Sequence, residues 1–255
     1  MRLLEVDQHR RQLRLLMDRA SSDATAYAKS IVNESPVRVA GQTREMAAAV
    51  VGSWSGVAAE GAALFYEAQR PSPGAPVRIA PPSIGERLAG DLGYALAPLF
   101  VPDGFATPGL EFLTRLGGVV GLHVAAGDRA TMALTAAADP TSGGVRRFAR
   151  PGACGFCAYL SSIEADVYDA TVWHTDCTCV NVPWWEDNPL PDAGYMDEYA
   201  AAAERARAAI LADYEEKRKL APDLRRRNFH RKFPETAVNT KNIAARMRAD
   251  LGLAH

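Results

Sequence analysis

"ARPGACGFCAYL", residues 149–160, places two cysteines three positions apart in a chain that has only 4. The other two follow in "WHTDCTC", residues 173–179, beside a histidine. Cys154, Cys157, His174, Cys177 and Cys179 therefore share one short segment. Zinc takes four such ligands in a tetrahedron, and Cys-x-x-Cys supplies two from one tight turn. Gly155 suits a turn that folds back. In an extended strand Cys177 and Cys179 would point to one face, since side chains alternate. Five candidates for four places leave the ligand set open. A closed four-ligand site is structural, and it can hold together a β-module too small for its own core.

Three other readings compete with this one. Cysteines are often buried without function, but two spaced pairs with a histidine beside the second favour a metal. "CGFC" has the spacing of a thioredoxin-like redox motif. Such a motif normally follows a strand, whereas here an "ARPGA" loop precedes it, and "HTDCTC" is left unexplained. A zinc deaminase needs an upstream His-x-Glu to move protons. His9 is followed by Arg10 and Arg11, and His123 by Val124 and Ala125, so deamination is excluded.

The surrounding chain reads as a soluble globular protein. It has 255 residues, 48% hydrophobic and 23% charged, with a formal net charge of −1. That balance gives no global sign of nucleic-acid or acidic-membrane binding. The N-terminal stretch lacks a signal-peptide pattern, and "LTRLGGVVGLHVAAGD" is too short and too interrupted to span a bilayer. A reducing cytoplasm is expected, where clustered cysteines are metal ligands or redox groups rather than disulfides.

Residues 1–140 read as helical. Val6, Leu13 and Met17 share one helical face, and "TREMAAAVVGSWSGVAAEGAALFYEAQ" suits a long helix weakened at Gly52 and Gly56. A proline-dense connection follows at 70–85, with Ser83 placed to cap the next helix. Thr107–Pro108 resembles another helix start, and Asp139–Pro140 a stop. Near residue 141 the texture changes. "DVYDATVWH" and "CTCVNVPWW" are β-branched and aromatic, predicting a hairpin around the second cysteine pair. "MDEYAAAAERARAAILADYEEKRKL" predicts a helix with Tyr199, Ala203, Ala206 and Ile210 as its stripe, and with Asp213–Lys217 and Glu215–Lys219 pairs. The expected fold class is α+β and mainly helical. Residues 1–140 form a helical domain, 141–185 the Cys/His zinc module, and 186–255 a linker and basic helical C-terminal arm.

Arg150, Cys154-x-x-Cys157, Val167–Tyr168 and His174-x-x-Cys177-x-Cys179 together resemble the phage head morphogenesis family named after the F protein of phage Mu. The likeness extends to minor capsid proteins of tailed phages of actinobacterial hosts, and covers about residues 146–185. Ala165 and Asp166 stand where relatives often have a glycine. The resemblance implies a structural virion protein, made in the host cytoplasm and built into the head near the portal. Its implied partners are the portal and other capsid proteins, with no membrane contact. In related phages the module is fused to a capsid maturation protease, which is the runner-up function; a stand-alone zinc-dependent nucleic-acid-binding protein is the other alternative. Against it, "GSWSG" at 52–56 puts tryptophan where a nucleophile elbow needs serine, and Ser53, Ser55 and His123 carry no pairing signal.

From Lys217 to Arg248 the chain is strongly basic. Arg225, Arg226, Arg227, Arg231 and Lys232 are candidate phosphate contacts, and Phe229 and Phe233 candidate stacking groups on bases. The plainer alternatives are a solvated face or an acidic protein partner. Trp184 and Trp185 either cover the metal module and dock on a neighbour or fill small cores. The alanine stripes of the N-terminal half imply close helix packing, including against identical copies.

Overall fold

A computed structural model describes residues 2–74, 76–81, 85–101, 104–105, 109–162, 177–222 and 224–253. Among them the chain is mainly helical with two small sheets, an α+β architecture. The elements are α1 (Leu3–Ser30), α2 (Pro36–Gln69), α3 (Glu86–Leu96), β1 (Phe100–Val101), β2 (Gly104–Phe105), α4 (Leu110–Ala138), β3 (Val145–Phe148), α5 (Gly155–Ser162), β4 (Val180–Pro183), α6 (Gly194–Leu220), α7 (Arg226–Lys232) and α8 (Thr240–Leu251). They form two compact units, Met1–Val145 with Val167–Leu190, and Arg146–Asp166 with Pro191–His255.

In the first unit α1, α2 and α4 pack on one another, and α3 lies on α4. The helical period decides what they bury. On α1 the stripe is Val6, Leu13, Met17, Ala20, Ala24 and Ala28; on α2 it is Val39, Thr43, Ala47, Val51, Ser55, Ala58, Ala62 and Tyr66. Small residues at this spacing let backbones approach closely. A Cβ on Gly127 of α4 would lie 2.4 Å from the Ser55 carbonyl oxygen. The Ser21 hydroxyl donates to the Gly117 carbonyl at 2.7 Å. Helix α2 starts earlier than its alanine-rich run, with Ser35 at the cap position and Pro36 in the first turn, where its fixed φ and missing N–H cost nothing. By length and composition α2 is also long and apolar enough to cross a membrane, a property the reading of residues 113–128 overlooked.

Polar groups sit inside this unit in pairs. His9 stacks on Phe65 with ring centroids 4.3 Å apart, and its Nε2 is 2.8 Å from Oδ2 of the buried Asp128. Asp139 ends α4 as expected, and the reason is visible: its Oδ1 accepts from the Thr141 N–H at 3.0 Å and hydroxyl at 2.7 Å. This side-chain turn competes with helix continuation. Its Oδ2 accepts from the Tyr66 hydroxyl at 3.1 Å and lies 3.2 Å from Arg70 Nε. The helix starts expected at Ser83 and Thr107–Pro108 lie outside the described residues.

The strands differ from expectation. β1 and β2 pair antiparallel, with Phe100 opposite Phe105. The described partner of β4 is β3, and Cys177 and Cys179 precede β4 rather than lying in it. The stretch "DVYDATVWH" lies outside the described residues. Around the sheet the Gly143 N–H donates to the Trp184 carbonyl at 2.9 Å, and the Trp184 N–H to the Gly144 carbonyl at 3.2 Å. Trp185 is buried and fills a core here, while Trp184 is half-buried. Trp185 meets Tyr66 edge-on at 5.2 Å, and a Cβ on Gly143 would run into the Trp184 ring at 2.5 Å.

In the second unit α5, α6 and α8 pack together. Helix α6 buries Tyr199, Ala203, Ala206 and Ile210, the stripe the sequence predicted, together with Ala202. Asn239 caps α8 by accepting from the Asn242 N–H at 2.9 Å, and Gly252 closes it in the left-handed region at φ 62°. Two charged residues of α6 serve tertiary structure in place of the Asp213–Lys217 pair that helical spacing predicts. Lys217 pairs with Glu235, and Asp213 with Arg246. The basic tail is helical and packed. Phe229 is fully buried against Tyr214 at 5.1 Å and Phe233 at 5.0 Å, so it is a core residue and not a stacking platform for bases.

Candidate metal centre

The first cysteine pair opens a helix. Cys154 stands immediately before α5, where its carbonyl accepts the Ala158 N–H at 2.9 Å. The Cys157 N–H points to Cys154 Sγ at 3.5 Å. This is the helix-start placement that the sequence alone had not credited to "CGFC". Gly155 has a different role from the one expected. A Cβ there would lie 2.3 Å from the Ala244 carbonyl oxygen of α8, so glycine is required by helix packing rather than by a reversing turn. The hydroxyl of Tyr199 on α6 donates to the Arg150 carbonyl at 3.0 Å, and that of Tyr195 to the Ala149 carbonyl at 3.1 Å. The "ARPGA" loop leading to Cys154 is thereby tied to α6.

The second pair is placed by α4. Arg129 Nη2 donates to the carbonyl oxygens of Cys177 at 2.8 Å and Cys179 at 3.1 Å. The side-chain amide of Asn181 donates back to the Arg129 carbonyl at 3.3 Å. Every residue of β4 is buried.

Cys157, Cys177 and Cys179 are all buried, and their sulfurs lie within 4.8 Å of one another. The four cysteines are thiols, with no disulfide among them. Three sulfurs so close can hold a metal ion. Three of the five candidates are thus brought together. Cys154 stands half-buried at the start of α5, and His174 lies outside the described residues, as do Val167 and Tyr168.

The other candidate groups are placed as follows. Arg225, Arg231 and Lys232 are exposed, while Arg226 and Arg227 open α7. The Ser53 hydroxyl donates to the Ala49 carbonyl at 3.1 Å, Ser55 is buried, and His123 Nε2 is 2.8 Å from Asp91 Oδ2. Arg129 and Asn181 were not anticipated, nor were the Tyr66 and Arg70 partners of Asp139. The one signal available was the charged pair Asp128–Arg129 inside an otherwise apolar helical stretch.

A mainly helical α+β chain whose buried cysteine cluster can hold a metal is the class these features define. The model of the VG15 protein family matches residues 3–206. The chain belongs to this family of viral, phage proteins, and is accordingly a virion or host-cell-associated protein. No curated protein and no solved structure matches it.

Proposed function

We propose that the chain is a structural minor capsid protein of a tailed phage, acting in head morphogenesis near the portal and carrying a structural zinc ion. The observation that carries this reading is the coincidence of a phage family match over most of the chain with a buried, thiol-only cluster. Soft thiolates select zinc among the common divalent ions. Burial suits an ion that cross-links backbone segments and performs no reaction. Cys157, Cys177 and Cys179 supply three ligands, and Cys154 or His174 the fourth. The finer kinship with the Mu F-like family rests on the shared Cys/His spacing.

The test is the composition of purified heads. The chain is expected in virions, cross-linked to the portal, and its deletion is expected to leave heads that are misassembled or unfilled. Absence from virions, with normal heads after deletion, would overturn the reading. Incubation with the major capsid protein is expected to leave that protein uncleaved; cleavage would favour the maturation protease. Contact with DNA is supported by the exposed Arg225, Arg231 and Lys232.

A further inference from the structure

Arg129 lies on α4 with 1% of its surface exposed. A guanidinium removed from water is costly unless its donors are used. Here one nitrogen bridges the carbonyls of both cysteines of the second pair, and the Arg129 carbonyl in turn accepts from Asn181. Residues 177–179 precede β4, and these bonds tie their backbone to α4. They go to backbone oxygens and therefore fix both cysteines without consuming a sulfur.

We infer that Arg129 is a positioning residue for the metal centre. It orders the Cys177-Thr178-Cys179 backbone against α4 before an ion arrives, and sets a positive charge beside a centre that three or four thiolates make negative. The metal half of this inference rests on the zinc reading; the ordering half does not. Outer groups that orient ligands typically change metal affinity 10–100-fold.

The experiment uses the full chain, reduced and metal-free, and then titrated with Zn²⁺ against a chromophoric chelator. Arg129→Met is expected to raise amide hydrogen exchange over residues 177–181 at least about tenfold and to weaken Zn²⁺ binding about 10–100-fold. Exchange in α1 and the first half of α2 stays as in the parent. Arg129→Lys, which keeps a charged donor, is expected to restore most of both. Unchanged exchange in Arg129→Met, or a lysine variant no better than the methionine one, would overturn the inference. Should Arg129→Met fail to fold, Asn181→Ala decides: faster exchange at 179–181 supports the clamp, and parent-like exchange refutes it. A parent chain that binds no Zn²⁺ removes the metal reading alone, because the exchange comparison is made without metal.

Discussion

Asp139 is held by four donors from three directions, and its charge state follows from them. Burial alone would push its carboxyl up, but the Thr141 hydroxyl and N–H, the Tyr66 hydroxyl and the Arg70 guanidinium outweigh it and hold it below the usual carboxylate range. A carboxyl depressed on folding contributes stability that is present above its ordinary pKa and lost as pH falls through the folded value. Asp139→Asn is therefore expected to cost about 3 kcal/mol in urea unfolding at neutral pH, because Arg70 loses a buried partner, and to flatten the acid limb. Tyr66 moves the other way. Its burial, first of all, pushes the phenol up to about 12. Stability from it is complete below about pH 10 and is lost as pH rises through about 12, on the order of 2 kcal/mol. Tyr66→Phe is expected to abolish that part of the alkaline loss; an unchanged pH profile would show that Tyr66 does not carry it. Apolar residues with helical spacing, such as Val6, Leu13 and Met17, were legible in the sequence because burial follows the period directly. The Tyr66–Asp139 pair was not, since its members stand 73 positions apart and no local pattern couples them.

Glycine separates two kinds of helix position. In α5 a methyl on Gly155 meets the Ala244 carbonyl, whereas around Gly56 of α2 there is nothing within 4 Å of an added Cβ. Gly155→Ala is expected to destabilise by about 2–3 kcal/mol through backbone displacement. Gly56→Ala is expected to stabilise by about 0.5–1 kcal/mol through helix propensity. Denaturant midpoints that move in the same direction for both would contradict these packing assignments. The long helices were readable as elements, because alanine-rich amphipathic runs and the Asp139–Pro140 stop act locally. The β3–β4 pairing was not. Its strands come from distant parts of the chain, and the β-branched composition near the second cysteine pair names a strand without naming its partner. The Asp213 and Lys217 pairings fail for the same reason: helix spacing permits the local pair, while tertiary neighbours Arg246 and Glu235 win.

For the whole molecule, the net charge of −1 conceals a basic C-terminal region, and DNA affinity resting on it should fall steeply with salt. Replacing Arg225, Arg226, Arg227, Arg231 and Lys232 by alanine is expected to reduce the slope of log affinity against log salt by up to about 4. A slope identical to that of the parent would assign this charge to solvent or to a protein partner. The metal centre was half legible. Cysteine spacing announced a cluster, and the structure brings Cys157, Cys177 and Cys179 together, but the backbone clamp from Arg129 lies 48 positions from Cys177 and leaves no trace in a motif. The most direct test is the metal content of the full chain, purified under reducing conditions without added metal. One zinc per chain is expected, lost together with folded stability on chelation or in a Cys157→Ser, Cys177→Ser, Cys179→Ser variant. A chain that contains no metal, and whose unfolding is unchanged by chelator and by the triple substitution, would contradict the account.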